Sequence, residues 1–192
     1  DRVKKIINRQ VVVGKHSKVG VNRLDSKGDL AIHLAAAAGD KPMVELLFSL
    51  GANLDKCDNR GRTALHTASR RNEDSVAIVK FILDKYSLRG LILNQQDSLG
   101  RTALFIACFN GASDVVQALL SEPNIGPSID AKDSTLNRSP LHEAASRGYV
   151  DIVTLLVQRG AELEECDKDG STPLELALRR SKASNHNNTT GE

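Results

Sequence analysis

The stretch SPLHEAASRGYVDIVTLLVQRGAELEE, residues 139–165, places His142 beside Glu143. An imidazole next to a carboxylate can take up and pass on a proton, so the pair is the first candidate for acid–base chemistry. A second candidate is charge. Arg60, Arg62, Arg70 and Arg71 stand close together, and guanidinium forks suit carboxylates and phosphates. A third is thiol or metal chemistry. Cys57, Cys108 and Cys166 are far apart, with no CxxC and no Cys/His cluster at zinc-ligand spacing, so no metal or cofactor is expected. G-x-S-x-G, the P-loop and H-E-x-x-H are all missing from the sequence.

The elements that must position these groups recur. One segment appears five times: GDLAIHLAAAAG from Gly28, GRTALHTASRRN from Gly61, GRTALFIACFNG from Gly100, NRSPLHEAASRG from Asn137 and GSTPLELALRRS from Gly170. Ahead of each lies VNRLD, LDKCD, LNQQD, IDAKD or LEECD. The anchors are spaced by 33, 39, 37 and 33 residues. His33, His66 and His142 share one repeat position, which Phe105 and Glu175 fill in the other two units. A catalytic histidine need not recur in three units, and a scaffold histidine would. His142–Glu143 is therefore read as structural, and the chain as no enzyme.

Local grammar predicts two helices per unit. Thr63, Thr102, Ser139 and Thr172 offer hydroxyls to free N–H groups at helix starts. Pro140 and Pro173 sit in a first turn, where a missing N–H does no harm. KPMVELLFSL, VAIVKFIL, SDVVQALL and VDIVTLLVQR follow the helical period. Gly51 and Gly160 stand where a left-handed residue ends a helix. With 3% aromatics and no Trp, the core must be Leu, Ile, Val and Ala, which suits close-packed helices. Cys108 reads as a small core residue.

These repeats resemble the ankyrin family, whose G-x-T-P-L-H-x-A-A-x-x-G signature is met closely at 137–148 and 61–72 and more loosely from Gly28, where Leu30 and Ala31 replace Thr-Pro. The resemblance covers about residues 21–180. It implies an all-α solenoid of stacked helix–turn–helix units with projecting β-hairpin loops. Units are expected near 25–57, 58–96, 97–132, 133–166 and 167–180. Residues 1–20 form a flank whose VKKIINRQVVV suits a capping helix or a strand, and 181–192 are expected to be a disordered tail. The second unit exceeds 33 residues at NEDS and DKYSLRGLI. The third exceeds it at SEPNIGPS and near Ser134–Leu136.

Function is sought on the concave face, where the resemblance places ligands. Carried over unit by unit, that face holds 12 of the chain's 26 Lys and Arg, and only 2 of its 24 Asp and Glu. The net charge of the whole chain is just +2, so the bias is local. Candidate partner-binding residues are Arg60, Arg62, Arg70, Arg71, Leu99, Arg101, Phe109, Asn110, Arg138 and Arg147. The expected ligand is an acidic or phosphorylated segment of another protein. Nucleic acid or a phosphorylated small molecule is an alternative, disfavoured because Phe109 alone offers a stacking platform there. No stretch is apolar enough to span a membrane. The three scattered cysteines suit a reducing intracellular compartment, cytoplasmic or nuclear, and a monomer is expected. The start lacks an initiator Met and a signal-peptide core. It reads as an excised piece, and a targeting or regulatory region of a larger enzyme, channel or ubiquitin-ligase subunit is a further alternative.

Overall fold

The computed structural model describes residues 20–70, 74–86, 91–121 and 129–186. Almost all of the flank at 1–20, the insertions at 71–73, 87–90 and 122–128, and residues 187–192 lie outside the described residues.

Helices occur in pairs. α1 (Ala31–Ala38) precedes α2 (Lys41–Ser49), and α3 (Ala64–Ala68) precedes α4 (Ser75–Tyr86) with the short α5 (Leu91–Asn94). α6 (Ala103–Asn110) precedes α7 (Ser113–Leu120), and α8 (Pro140–Arg147) precedes α9 (Val150–Gln158). α10 (Pro173–His186) stands alone among the described residues. The helix runs on to His186, past position 181 where a tail is expected to begin. SKASNH carries neither Pro nor Gly, so nothing in it stops a helix already nucleated at Pro173.

The hydroxyl caps explain the helix starts. Thr63, Thr102 and Ser139 side chains accept from the N–H three residues on, and Thr172 does the same for Glu175. Gly39, Gly111 and Gly148, with φ of 75°, 69° and 70°, then turn the chain from each first helix into its partner.

The first helices α1, α3, α6, α8 and α10 pack in one row, and α2, α4, α7 and α9 in a second behind it. Fully buried Ala35, Ala64, Ala68, Ala103, Ala107 and Ala144 let the front row approach closely. Leu65, Leu104 and Leu141 meet Ile78, Ile82, Leu119, Ile152 and Leu156 in one continuous core. Cys108 lies in that core at 0% exposure. No unit could bury this surface alone, so stacking is the source of stability.

The projecting loops differ from the hairpins expected. Among the described residues no strand is present, and each loop is a tight turn joined to the next by a single backbone bond. Asn59 N–H donates to Gly28 O, Ser98 to Arg60, Ser134 to Leu99 and Lys168 to Leu136, each at 2.9–3.0 Å. One rung per pair makes no ladder, because other loop N–H groups are taken within each loop, by its own carbonyls or by side chains.

Candidate functional site

Those side chains are the aspartates that end each short element before the repeat. Asp58 Oδ1 accepts from the N–H groups of Arg60 and Arg62 at 2.8 and 2.9 Å. Asp97 does the same for Leu99 and Arg101, and Asp167 for Asp169 and Ser171. Asp25 repeats the pattern with Lys27 and Asp29. In the fourth unit the extra residue enlarges the turn, so the Asp133 N–H reaches Arg138 O five residues on. Sequence reasoning overlooked this role, although the aspartate recurs in all five elements. Burial alone would push the Asp58 and Asp97 carboxyls up. Hydrogen bonds from arginine and backbone N–H outweigh it and hold both below the usual carboxylate range.

The second oxygen of these aspartates captures the candidate arginines. Arg62 Nη2 lies 2.6 Å from Asp58 Oδ2, and Arg101 Nη2 lies 2.6 Å from Asp97 Oδ2. Arg138 reaches across to the next unit, with Nε 3.0 Å from Asp167 Oδ2, and also meets Glu143 at 3.3 Å. Arg147 Nε lies 3.0 Å from Glu143 Oε2, while its guanidinium sits 3.8 Å from the centre of the Phe109 ring. Asn110 donates to Ile106 O at 2.7 Å. Lys132 pairs with Glu165, and Lys168 Nζ donates to the Ser134 and Thr135 carbonyls. Much of the basic bias on this face is thus neutralised within the fold.

His142 and Glu143 are accordingly not a couple. Glu143 is 5% exposed and held between Arg138 and Arg147. His142 Nδ1 accepts from Ser139 N–H at 3.2 Å, and its Nε2 lies 3.2 Å from Ser171 O in the next unit. His66 repeats this with Thr63 N–H at 3.2 Å and Arg101 O at 3.0 Å. Because Nδ1 accepts, Nε2 carries the proton, and each ring bridges two units as a neutral imidazole. Burial pushes both rings' pKa down. Glu175 fills the position in the fifth unit by accepting from Thr172 N–H at 3.0 Å.

What the fold leaves open is narrower. Arg60 and Arg70 are exposed, and neither guanidinium has an ion pair among the described residues. Both line a pocket of about 190 Å³ with Asp29, His33 and Arg62. Leu99 and Phe109, each 40% exposed, supply apolar surface further along the stack. Arg71 lies outside the described residues.

The comparisons agree with this architecture. The family model described as ankyrin repeats (3 copies) matches residues 3–90, 32–133 and 125–188. The chain belongs to the ankyrin-repeat family. It is 32% identical over 172 residues to alpha-latrotoxin-Lt1a of Latrodectus tredecimguttatus, covering 88% of this chain and 12% of the toxin. It is 33% identical to the human transient receptor potential cation channel subfamily A member 1, covering 83% of this chain and 14% of the channel. A B-cell lymphoma 3 protein homolog of Mus musculus matches at 31%, over 85% of this chain and 36% of its own length. The chain thus spans only a minor part of these relatives. Ankyrin repeats are generally protein-interaction modules and typically non-catalytic. Among the described residues no helix is long and apolar enough to cross a membrane.

Proposed function

We propose that this ankyrin-repeat chain is a non-catalytic interaction module whose concave face holds an acidic or phosphorylated segment of another protein. The observation that carries the reading is the division among its arginines. Arg62, Arg101 and Arg138 are tied to aspartates of the loops, whereas Arg60 and Arg70 are exposed and make no ion pair among the described residues. An unpaired pair of guanidiniums is the part of the face that gains from an anionic partner. Arg71 joins them by sequence. Leu99, Phe109, Asn110 and Arg147 extend the contact toward the later units. The free thiols Cys57, Cys108 and Cys166 support a reducing intracellular setting, cytoplasmic or nuclear.

Nucleic acid fits less well, because the exposed Phe109 ring already carries the Arg147 guanidinium on its face. A regulatory region within a larger protein, a channel for example, is favoured by matches to small parts of long proteins, one of them a cation channel.

The test is fluorescence anisotropy with a labelled Asp/Glu-rich decapeptide, its phosphoserine-containing counterpart and an oligonucleotide. Arg60→Glu with Arg70→Glu is expected to weaken peptide binding at least about tenfold, roughly one lost charged hydrogen bond, with Tm unchanged. Binding that survives the double reversal, or saturable oligonucleotide binding at physiological salt, would overturn the reading.

A further inference from the structure

The recurring histidine is buried in three units but hydrogen-bonded in only two. In the first unit Leu30 stands where the others have Thr or Ser, and α1 has no side-chain cap. Leu30 has no hydroxyl to meet Nδ1 as Thr63 and Ser139 do at 2.8 Å, and the Lys56 carbonyl of the second unit acts on the ring without closing a hydrogen bond of normal geometry. Both nitrogens are unpartnered although the residue is 1% exposed. Buried polar atoms are nearly always satisfied, and one that is not points to a missing ligand. His33 also lines the pocket flanked by Arg60 and Arg70, so the ring and two guanidiniums that make no ion pair among the described residues share one cavity.

We propose that this cavity is a carboxylate subsite, taking the side chain of a single Asp or Glu from the partner segment between the Arg60 and Arg70 guanidiniums, with a His33 ring N–H as a third, neutral donor. The inference rests on the groove reading above and names its anchor.

The charges around the pocket select the ligand. Arg62 lies 2.6 Å from Asp58 and 3.6 Å from Asp29, and Asp29 itself lines the pocket. Three arginines against two aspartates leave one net positive charge, which one carboxylate balances. A phosphomonoester carries about −1.5 to −2 at neutral pH and would face the Asp29 carboxylate. Burial holds His33 neutral, its pKa pushed down to about 4, so the ring can donate to a carboxylate without adding a second charge.

Isotope-labelled protein is titrated with acetylated, amidated glutamate, with its glutamine counterpart and with its phosphoserine counterpart, following the His33 ring resonances by NMR. Glutamate is expected to shift them saturably, glutamine not at all, and phosphoserine more weakly. In parallel, the Asp/Glu-rich decapeptide is titrated against His33→Leu. That variant removes no hydrogen bond of normal geometry and puts an apolar side chain in a buried place, so it should fold, and it is expected to bind about tenfold more weakly. A silent His33 ring, a glutamine response equal to glutamate's, tighter phosphoserine binding, or undiminished decapeptide binding by His33→Leu each overturns the subsite. If Arg60→Glu/Arg70→Glu loses the decapeptide while the ring stays silent, the subsite falls and the groove stands. If the decapeptide never binds but blocked glutamate moves the ring, the groove reading falls and the subsite stands.

Discussion

The guanidinium of Arg147 lies 3.8 Å from the centre of the Phe109 ring and is held there by Glu143, 3.0 Å from its Nε. The contact joins the end of α6 to the end of α8, so it links two neighbouring units. A cation over an aromatic face at a partly exposed site contributes about 0.5–1 kcal/mol. A double-mutant cycle of Phe109→Ala and Arg147→Ala, read by urea unfolding, should return a coupling of that size. Strictly additive losses would show that the two side chains act independently in solution.

His33 predicts a pH dependence of stability. Its folded pKa is about 4 against an ordinary 6.5, so between those values the unfolded chain binds a proton that the folded chain does not. The folded state is therefore favoured above pH 6.5 and loses stability as pH falls toward 4. Between pH 7 and pH 5 this one group accounts for about 2 kcal/mol. His33→Leu should flatten that part of the profile, measured as Tm against pH. An unchanged profile would mean that the ring is not held neutral. His66 and His142 shift in the same direction and leave a residual slope.

Asp97 anchors a loop rather than a ligand. Its side chain is 1% exposed, accepts two backbone N–H groups and pairs with Arg101. Removing the acceptor costs about 1.5–3 kcal/mol, because the Leu99 and Arg101 N–H groups lose a charged partner while the Arg101 guanidinium, 29% exposed, keeps contact with water. Asp97→Ala should lose stability of that order in guanidinium unfolding, and Arg101→Glu should unfold the chain at lower temperature than Arg60→Glu does. Asp58, Asp97, Asp133 and Asp167 all have lowered pKa values. Their contribution is present above the ordinary carboxylate pKa and is lost as pH falls through the folded values.

The division between legible and hidden features follows from what a repeat encodes. Thr63, Ser139 and Thr172 could be read as caps because a local rule fixes their partner three residues away. The scaffold role of His66 and His142 was legible because the residue recurs. Whether an arginine is free was not legible. Arg60 and Arg62 are two residues apart and look alike, but Arg62 is four residues from Asp58 and folds back onto it, while Arg60 has no such partner. Where α10 ends was not legible either, because SKASNH is polar and without apolar period, yet the helix begun at Pro173 under the Thr172–Glu175 cap runs through it to His186.

Gly100 and Gly170 occupy the same loop position and share φ of 73°, but their surroundings differ. A Cβ on Gly100 would lie 2.9 Å from the Ser134 backbone nitrogen, whose N–H makes the single bond to Leu99 O between the two loops. A Cβ on Gly170 would meet nothing within 4 Å. Gly170→Ala therefore reports the cost of a left-handed alanine alone, about 1–2 kcal/mol. Gly100→Ala carries that cost plus a clash with backbone that cannot move without parting the units. Asn137, with φ of 55° in the fourth unit, shows that the position tolerates a side chain suited to this region. Thermal unfolding should thus rank Gly170→Ala above Gly100→Ala in stability, with Gly170→Asn nearest the parent. Equal losses at the two glycines would mean that the loops are not in contact between the third and fourth units.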